Sequence, residues 1–412
     1  MSWYLKQKFQ LAGIGVSLLC LIPGFLRAQV DTAWVRQYKG PLNSDNQAKA
    51  IAVDGSGNVY VTGQVRVAAA DGFNYATIKY NSRGVKQWSA QYNGSENVHY
   101  AAYSIAVDGS GNVYVCGQGP TIKYNSAGQQ QWVTPDSVYS TALFVDVSGN
   151  VYATAPGYTI KYNTAGKQQW RVPYGGAIAV DNSGNVYVTG SSIVSGTGIY
   201  ATIKYNSAGE QQWLATQAGN IDRPGVIAVD GKGNVYVAGY GSGFVTTKYN
   251  SAGQEQWVSR YSAGNGFDML TAFTVDNSGN VYVTGTSRGS GTDWDYATIK
   301  YNPAGQQQWV ARYDCSGGQD MATALAVDGS GNVYVTGKIE LGPGPGPGPG
   351  PGTHYATIKY NSSGAQKWIA RYNGPGSGGD TPTAIAVDGS GNVYVTGGIG
   401  TAYVTIKYVQ IK

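Results

Sequence analysis

Four aspartates stand at one fixed distance from a second, regularly recurring set. Asp222, Asp268, Asp320 and Asp380 each fall eight residues ahead of an aspartate that opens an Asp-x-x-Gly-Asn turn, and Asp45 lies one place out of that register. Carboxylates at equivalent places of a repeat can converge on one point. Oxygen donors of that kind suit a calcium ion or a polyhydroxyl ligand. The same pattern fits a structural role, in which each carboxylate closes its own incoming loop through backbone amides. The recurrence favours the structural role, because a single site has no need of a fourfold pattern.

Other chemistry finds little support. The chain has two histidines, His99 and His354, and contains neither H-E-x-x-H nor G-x-x-x-x-G-K-[ST]. Its Asp-Gly-Ser-Gly-Asn turns lack the spaced acids and terminal Glu of an EF-hand loop. No nucleophile-elbow sequence accompanies either histidine. A carboxylate pair for glycoside hydrolysis would need a particular separation, which sequence spacing does not measure.

The elements that position these residues are repeats. The second set of aspartates is Asp54, Asp108, Asp146, Asp181, Asp230, Asp276, Asp328 and Asp388, at intervals of 35 to 60 residues. Such periods indicate a solenoid, propeller or array. At its fullest the unit runs from Ile178 through Asn185-Val-Tyr-Val-Thr-Gly190 and Tyr200-Ala-Thr-Ile-Lys-Tyr205 to Trp213. It offers four short extended runs separated by Asp-x-x-Gly and Asn-x-x-Gly, whose Asx side chains and glycines make tight turns. Four antiparallel strands per unit predict one propeller blade.

The two ends of the chain complement each other. The eighth unit stops at Lys412 without a tryptophan strand, while Thr32-Ala33-Trp34-Val35-Arg36-Gln37-Tyr38 is a fourth strand with no first three. Pairing them closes a ring and leaves no open sheet edge. The expectation is an all-β, single eight-bladed propeller of four-stranded blades, closed by the N-terminal strand. Seven blades is the alternative if the short units near Asp146 and Asp181 merge. Those units retain Thr159-Ile160-Lys161-Tyr162 and Trp170, which argues against merging.

Eight of the ten tryptophans (Trp34, Trp88, Trp132, Trp170, Trp213, Trp257, Trp309 and Trp368) occupy one repeat position. A blade-packing anchor is expected there in preference to a carbohydrate platform. Eight lysines, Lys79 to Lys407, also recur. They either pair with the repeated aspartates or point to solvent, and solvent is favoured because isolated surface pairs contribute little.

Alternating strand directions put the near-invariant turns on one face and the variable connections on the other. The variable connections carry both histidines, Asp293-Trp294-Asp295 and the alternating Gly-Pro run 342–352, an extended insertion. Variable loops on a rigid frame are where binding sites are normally carried.

Residues 1–28 differ in kind. Lys6 and Lys8 precede an apolar run from Leu11 to Phe25, and Ala28 stands at a plausible cleavage point, which reads as a secretory signal peptide. The run is short for a bilayer span. Residues 29–412 would then form the propeller domain, exported to the periplasm, the cell surface or the medium, with no membrane span and as a monomer. Removing the leader takes away Lys6, Lys8 and Arg27 and no acid, so 25 basic side chains face 23 acidic ones and the net charge is +2. No clustered basic stripe for nucleic acid is present. With 61 Gly, 33 Tyr and 12% charged residues, the composition is that of turns and aromatic strands. Cys116 and Cys315 lie repeats apart at positions that do not correspond, so no disulfide is expected.

Asp-x-x-Gly-Asn-Val-Tyr-Val-Thr-Gly followed by Ala-Thr-Ile-Lys-Tyr-Asn closely resembles the bacterial beta-propeller repeat of the SBBP type, and is similar to NHL repeats. The resemblance spans residues 34 to 408 and implies a secreted or cell-surface propeller. The segment Tyr-Asn-Ser-Ala-Gly-Gln-Gln-Gln-Trp also looks like the tryptophan-docking repeat of pyrroloquinoline-quinone dehydrogenases. Those enzymes typically carry adjacent cysteines and a carboxylate-bound calcium, and this chain has no adjacent cysteines. Two functions follow as expectations. The first is a non-catalytic exported scaffold that binds a protein or glycan partner through its variable face and needs no cofactor, with calcium at the acidic channel mouth as the one cation considered. The alternative is a quinone- and calcium-dependent oxidoreductase or a lyase on the same fold.

Overall fold

The structure, a computed structural model, describes residues 30–67, 72–94, 99–135, 139–194, 197–216, 223–241, 243–264, 268–289, 293–315, 318–341, 352–374 and 379–411. The leader 1–28, Asp222 and the Gly-Pro run 342–351 lie outside the described residues. Eight antiparallel blades are arranged in a ring, as the repeat predicts. Within the first blade the strands Gln47–Val53, Val59–Arg66, Phe73–Tyr80 and Lys86–Tyr92 follow one another from the centre outward. The same order recurs around the ring. In the second blade the second and third strands run on as one element, Val113–Tyr124, whose halves pair with the inner and outer strands respectively.

The ring closes as the chain ends predict. Val30–Tyr38 pairs antiparallel with Ala402–Gln410 and forms the outer strand of the eighth blade. The eight inner strands, from Gln47–Val53 to Thr381–Val387, touch one another in an unbroken circle around a central channel.

The apolar cores lie between blades. The second-strand tyrosine of one blade packs on the next, so that Tyr187 meets Val235, Val237 and Tyr249 together with Trp213, Ile227 and Val229. All eight of these tyrosines, Tyr60, Tyr114, Tyr152, Tyr187, Tyr236, Tyr282, Tyr334 and Tyr394, are 0% exposed. Face-to-face sheet packing gives such large side chains their burial.

The tryptophans anchor blade to blade. Trp213 lies against Gly253 in the third-to-fourth turn of the next blade, and its Nε1 donates to Ser251 O at 3.1 Å. Gly253 has φ +80, and a Cβ there would stand 2.7 Å from the indole, so this turn position takes glycine for two reasons at once. Seven of the eight seams are built this way, from Trp34 on Ser82 O to Trp309 on Ser362 O. At the eighth the outer strand is Val30–Tyr38, so no third-to-fourth turn faces Trp368, and its buried Nε1 has no partner.

The lysines do neither of the things the sequence suggests. They do not pair with the repeated aspartates and they are not solvent-directed. Each Nζ sits 5.1 to 5.4 Å above the ring of its own blade's buried tyrosine, Lys79 over Tyr60 through Lys407 over Tyr394. Most also donate to the carbonyl of the next blade's turn that the tryptophan uses, as Lys161 does to Ser207 O. A cation over a ring is worth about 0.5–1 kcal/mol at exposed sites and more when desolvated. That exceeds what a solvated lysine offers, so the side chain folds down.

Candidate functional site

The repeated aspartates are spent within their own turns. Oδ1 of Asp181 accepts the amides of Ser183 and Asn185 at 2.9 Å, and Oδ2 accepts Asn185 Nδ2 at 2.8 Å and the Tyr187 hydroxyl at 2.9 Å. The same four bonds recur in the other seven blades, for example at Asp54 and Asp388. Burial pushes the Asp181 carboxyl up, but these donors together outweigh it and hold it below the ordinary aspartate value. Clefts of about 320 and 280 Å³ between such turns on this constant face are lined by these same residues.

Three of the four aspartates eight residues upstream lie among the described residues, and all three are buried. Asp320 Oδ2 accepts the Cys315 amide at 2.5 Å and its Oδ1 accepts the Glu340 amide at 3.2 Å. Asp380 Oδ2 accepts the Gly374 amide at 2.7 Å. Each therefore clamps the chain arriving from the previous blade, and Asp320 also clamps the end of its own second strand. Burial raises both carboxyls, Asp320 to about 7. Asp268 Oδ2 is buried without a hydrogen-bond partner. Among the described residues no three His, Cys, Asp or Glu side chains gather where they could hold a metal ion.

In the first blade the clamp is Asn46 rather than Asp45. Asn46 is 2% exposed, and its Oδ1 accepts the Arg66 amide at 3.1 Å, the counterpart of the Glu340 contact. Asp45 sits beside it with φ +52 and pairs with the Arg66 side chain at the surface. The one-residue offset in the sequence thus marks a different residue doing the work.

The rings of His99 and Phe73 meet at 4.4 Å, tilted by 43°, and Asp295 is ion-paired with Arg312 at 2.7 Å. His354 is buried on the third strand of blade seven, its Nε2 without a hydrogen-bond partner. Cys116 and Cys315 are both buried and are not joined in a disulfide.

The open space lies elsewhere, at the channel mouth on the variable face. A cavity of about 760 Å³ is lined by Thr141, Gly157, Gly176, Thr189, Gly225 and Phe273 among others, from blades three to six. It opens there because blades three and four are short. Their inner strands, Ala142–Val145 and Ala177–Val180, have four residues each, and only Pro156 and Gly157 join the second and third strands of blade three.

A set of equivalent positions that the sequence reading did not single out recurs at the inner strands, and three of them, Thr141, Gly176 and Gly225, line this space. Five residues ahead of each repeated aspartate stand Lys49, Tyr103, Thr141, Gly176, Gly225, Thr271, Thr323 and Thr383. In six blades this residue is the extra one of a β-bulge in the inner strand, where the register slips, as between Ala48 and Ala50. A bulge leaves one residue out of the ladder and re-aims its side chain. Blades three and four have no bulge, and their inner strands begin one residue later. The spacing was visible in the sequence, but the variety of residue types at this position hid it.

Five stretches, residues 33–64, 87–119, 172–196, 212–244 and 367–398, match the model of the family described as SBBP, Beta-propeller repeat. No curated protein matches the chain. Among solved structures, BamB from Moraxella catarrhalis aligns over 93% of this chain and 98% of its own, at 17% identity and a TM-score of 0.55. A chain of the Mitotic Checkpoint Complex aligns over 74% of this chain and 88% of its own, at 11% identity and a TM-score of 0.50. At these identities the likeness is one of fold.

Proposed function

From a chain that is an eight-bladed propeller carrying SBBP-type beta-propeller repeats, we propose a non-catalytic, exported scaffold that binds a protein or glycan partner through its variable face. One observation carries this reading. The polar groups of the constant face satisfy one another blade after blade, whereas the variable face surrounds an open cavity of about 760 Å³ at the channel mouth. Among the described residues lining that cavity none has a titratable side chain, and its walls are those of a binding site. Export is supported by the leader-like residues 1–28.

The test is capture of a partner from envelope extract on the immobilised protein, compared with a variant in which the Gly-Pro run 342–352 and the connection 217–222 are shortened. The partner should be lost from the trimmed protein while the frame melts at the same temperature. Equal capture by both proteins, or turnover of a substrate by the unmodified one, would overturn the reading.

A further inference from the structure

We infer that the second strand of blade four takes up an extended peptide segment of a partner protein as an added β-strand, along an inward edge that begins at Ser191. This rests on the reading that the variable face binds a partner, and it names a protein segment as what is bound. The strand Val186–Val194 stands between the inner strand Ala177–Val180 and the third strand Thr197–Tyr205. On its outer side it is paired over its whole length, from Val186 with Tyr205 to Val194 with Thr197. On its inner side the pairing ends at Thr189 with Ala177.

In six blades the inner strand itself occupies this edge. The residues equivalent to Gly190 and Ser191 are paired with it there, as Gly285 and Thr286 are with Leu270 and Met269, and Gly63 and Gln64 with Ala48 and Gln47. In blade three the second strand stops at Ala155, the counterpart of Gly190. Among the described residues, blade four alone combines a second strand that runs on with an inner strand that does not. The cause is a short link. Only Pro173 to Gly176 joins the outer strand of blade three, Gln168–Val172, to Ala177, and Pro173 stands where Asp320 and Asp380 clamp their blades.

Which groups the edge offers follows from strand alternation. The N–H and C=O of successive residues in an antiparallel ladder point to opposite sides. Arg66 and Glu340 stand four places after Thr62 and Thr336, as Ile193 does after Thr189, and their amides point inward, at Asn46 Oδ1 and Asp320 Oδ1. Ser191 and Ile193 therefore turn N–H and C=O toward the channel, while Ser192 and Val194 turn theirs to the third strand. Unpaired donors and acceptors along a strand are a template for another strand. An added strand draws affinity from these main-chain bonds and specificity from pockets for its alternate side chains. The cavity supplies such a pocket at the foot of the edge. Thr189 and Gly190, the residues just before Ser191, line it, and Ile178, Val226, Ile227 and Phe273 give it apolar wall for one side chain of the incoming segment.

A phage-displayed library of linear heptapeptides, panned on the whole exported chain, tests this. Peptides enriched by panning and resynthesised should bind saturably in titration calorimetry, and should slow hydrogen exchange at the Ser191 and Ile193 amides at least about tenfold. N-methylation of alternate peptide amides should weaken binding at least about tenfold in one alternation and leave it unchanged in the other. Ser191→Pro combined with Ile193→Pro removes the two inward N–H groups and spares the bonds to the third strand, a placement that edge strands tolerate. This variant should bind the peptides at least about tenfold more weakly at an unchanged melting temperature. Failure of every enriched peptide to bind saturably, unchanged exchange at Ser191 and Ile193, tolerance of N-methylation at every position, or equal binding by the variant would each overturn the inference. If envelope capture is still lost on loop trimming but is undiminished in the proline variant, the strand-addition inference falls and the partner-binding reading stands.

Discussion

The two faces of the ring are made by the same strands and obey different rules. On the constant face each repeated Asp, turn Asn, second-strand Tyr and Lys has a set partner, as has every repeat Trp but Trp368, most of them in the same blade or the next, and the geometry varies by only tenths of an ångström from blade to blade. The Asp–Tyr hydroxyl bond runs only from 2.8 to 3.1 Å over eight copies. On the variable face the residue five places ahead of the repeated aspartate is Lys, Tyr, Thr or Gly, and the residue eight places ahead is Asp, Asn, Tyr, Val or Pro. Repetition therefore gives the frame its indole bond at seven of the eight seams and leaves the other face free to differ. The difference teaches that this repeat buys rigidity at one end of each blade so that the other end need not be regular.

The comparison breaks most completely if the ring itself is opened. Deleting Val30–Tyr38 removes the outer strand of the eighth blade and exposes the edge of Ala402–Gln410, along with the cores around Trp34, Tyr80 and Tyr394. An open, flat, apolar edge is a template for aggregation. The deletion should abolish cooperative thermal unfolding and produce light-scattering aggregates, and a single sharp transition near that of the intact protein would show that closure is dispensable.

Carboxylates on the two faces should respond to pH in opposite directions. Asp54, Asp108, Asp181, Asp230, Asp328 and Asp388 are held below their ordinary value in the folded state. Their contribution is present above the unfolded aspartate value and is lost as pH falls through the folded one. Asp320 is raised by burial to about 7, so its contribution is complete below about 4 and is lost as pH rises through about 7. Asp320→Asn, which copies what Asn46 does in the first blade, should flatten the decline in melting temperature between pH 4 and 7, an effect on the order of 2 kcal/mol. The acid limb below pH 4 should stay. A decline that persists unchanged in the variant would remove Asp320 as its cause.

Within the frame, the closing seam offers a built-in control. Trp213 and Trp368 occupy the same repeat position, but the first donates its indole N–H to Ser251 O and the second donates to nothing. Gln410 replaces the missing turn only in part: its Oε1 meets Lys359 Nζ, while its Nε2 goes to Gly391 O and the Tyr334 hydroxyl. Trp213→Phe should cost about 1 kcal/mol for the lost hydrogen bond, and Trp368→Phe less than about 0.5 kcal/mol beyond the difference in ring size. Denaturant midpoints at constant slope read the two values, and equal losses would mean that the indole N–H carries no weight at either seam.

The sequence made the ring legible because its determinants are local and repeated. Asp-x-x-Gly and Asn-x-x-Gly specify turns within four residues, and the unmatched Trp34 strand at one end answers the missing strand at the other. The lysines were not legible, since a cation over a ring depends on which way a long side chain folds, and period-two patterning does not encode that. The cavity was not legible either. It arises from what blades three and four lack, including the bulge ahead of Ala142 and Ala177, and an absent residue has no motif. The clamp aspartates were visible as a pattern, and Asp45 misaligned with it because Asn46 does the same job with an amide.

The smallest effect on stability belongs to the variable face, and it sharpens the comparison most. Shortening the Gly-Pro run 342–352 to a four-residue turn changes only the length of the link between the second and third strands of blade seven. Loop closure entropy grows slowly with length, by about 0.6 kcal/mol per doubling, so removing about seven residues should stabilise the protein by less than about 1 kcal/mol. The frame bonds flanking the link, Thr336 Oγ1 to Ala356 O at 3.2 Å and Tyr355 hydroxyl to Gly398 O at 3.1 Å, lie within the blade body and in the contact with blade eight. They should be untouched. A melting temperature that falls on shortening would mean that the run packs on the ring and belongs to the frame, and the division between the two faces would have to be redrawn at blade seven.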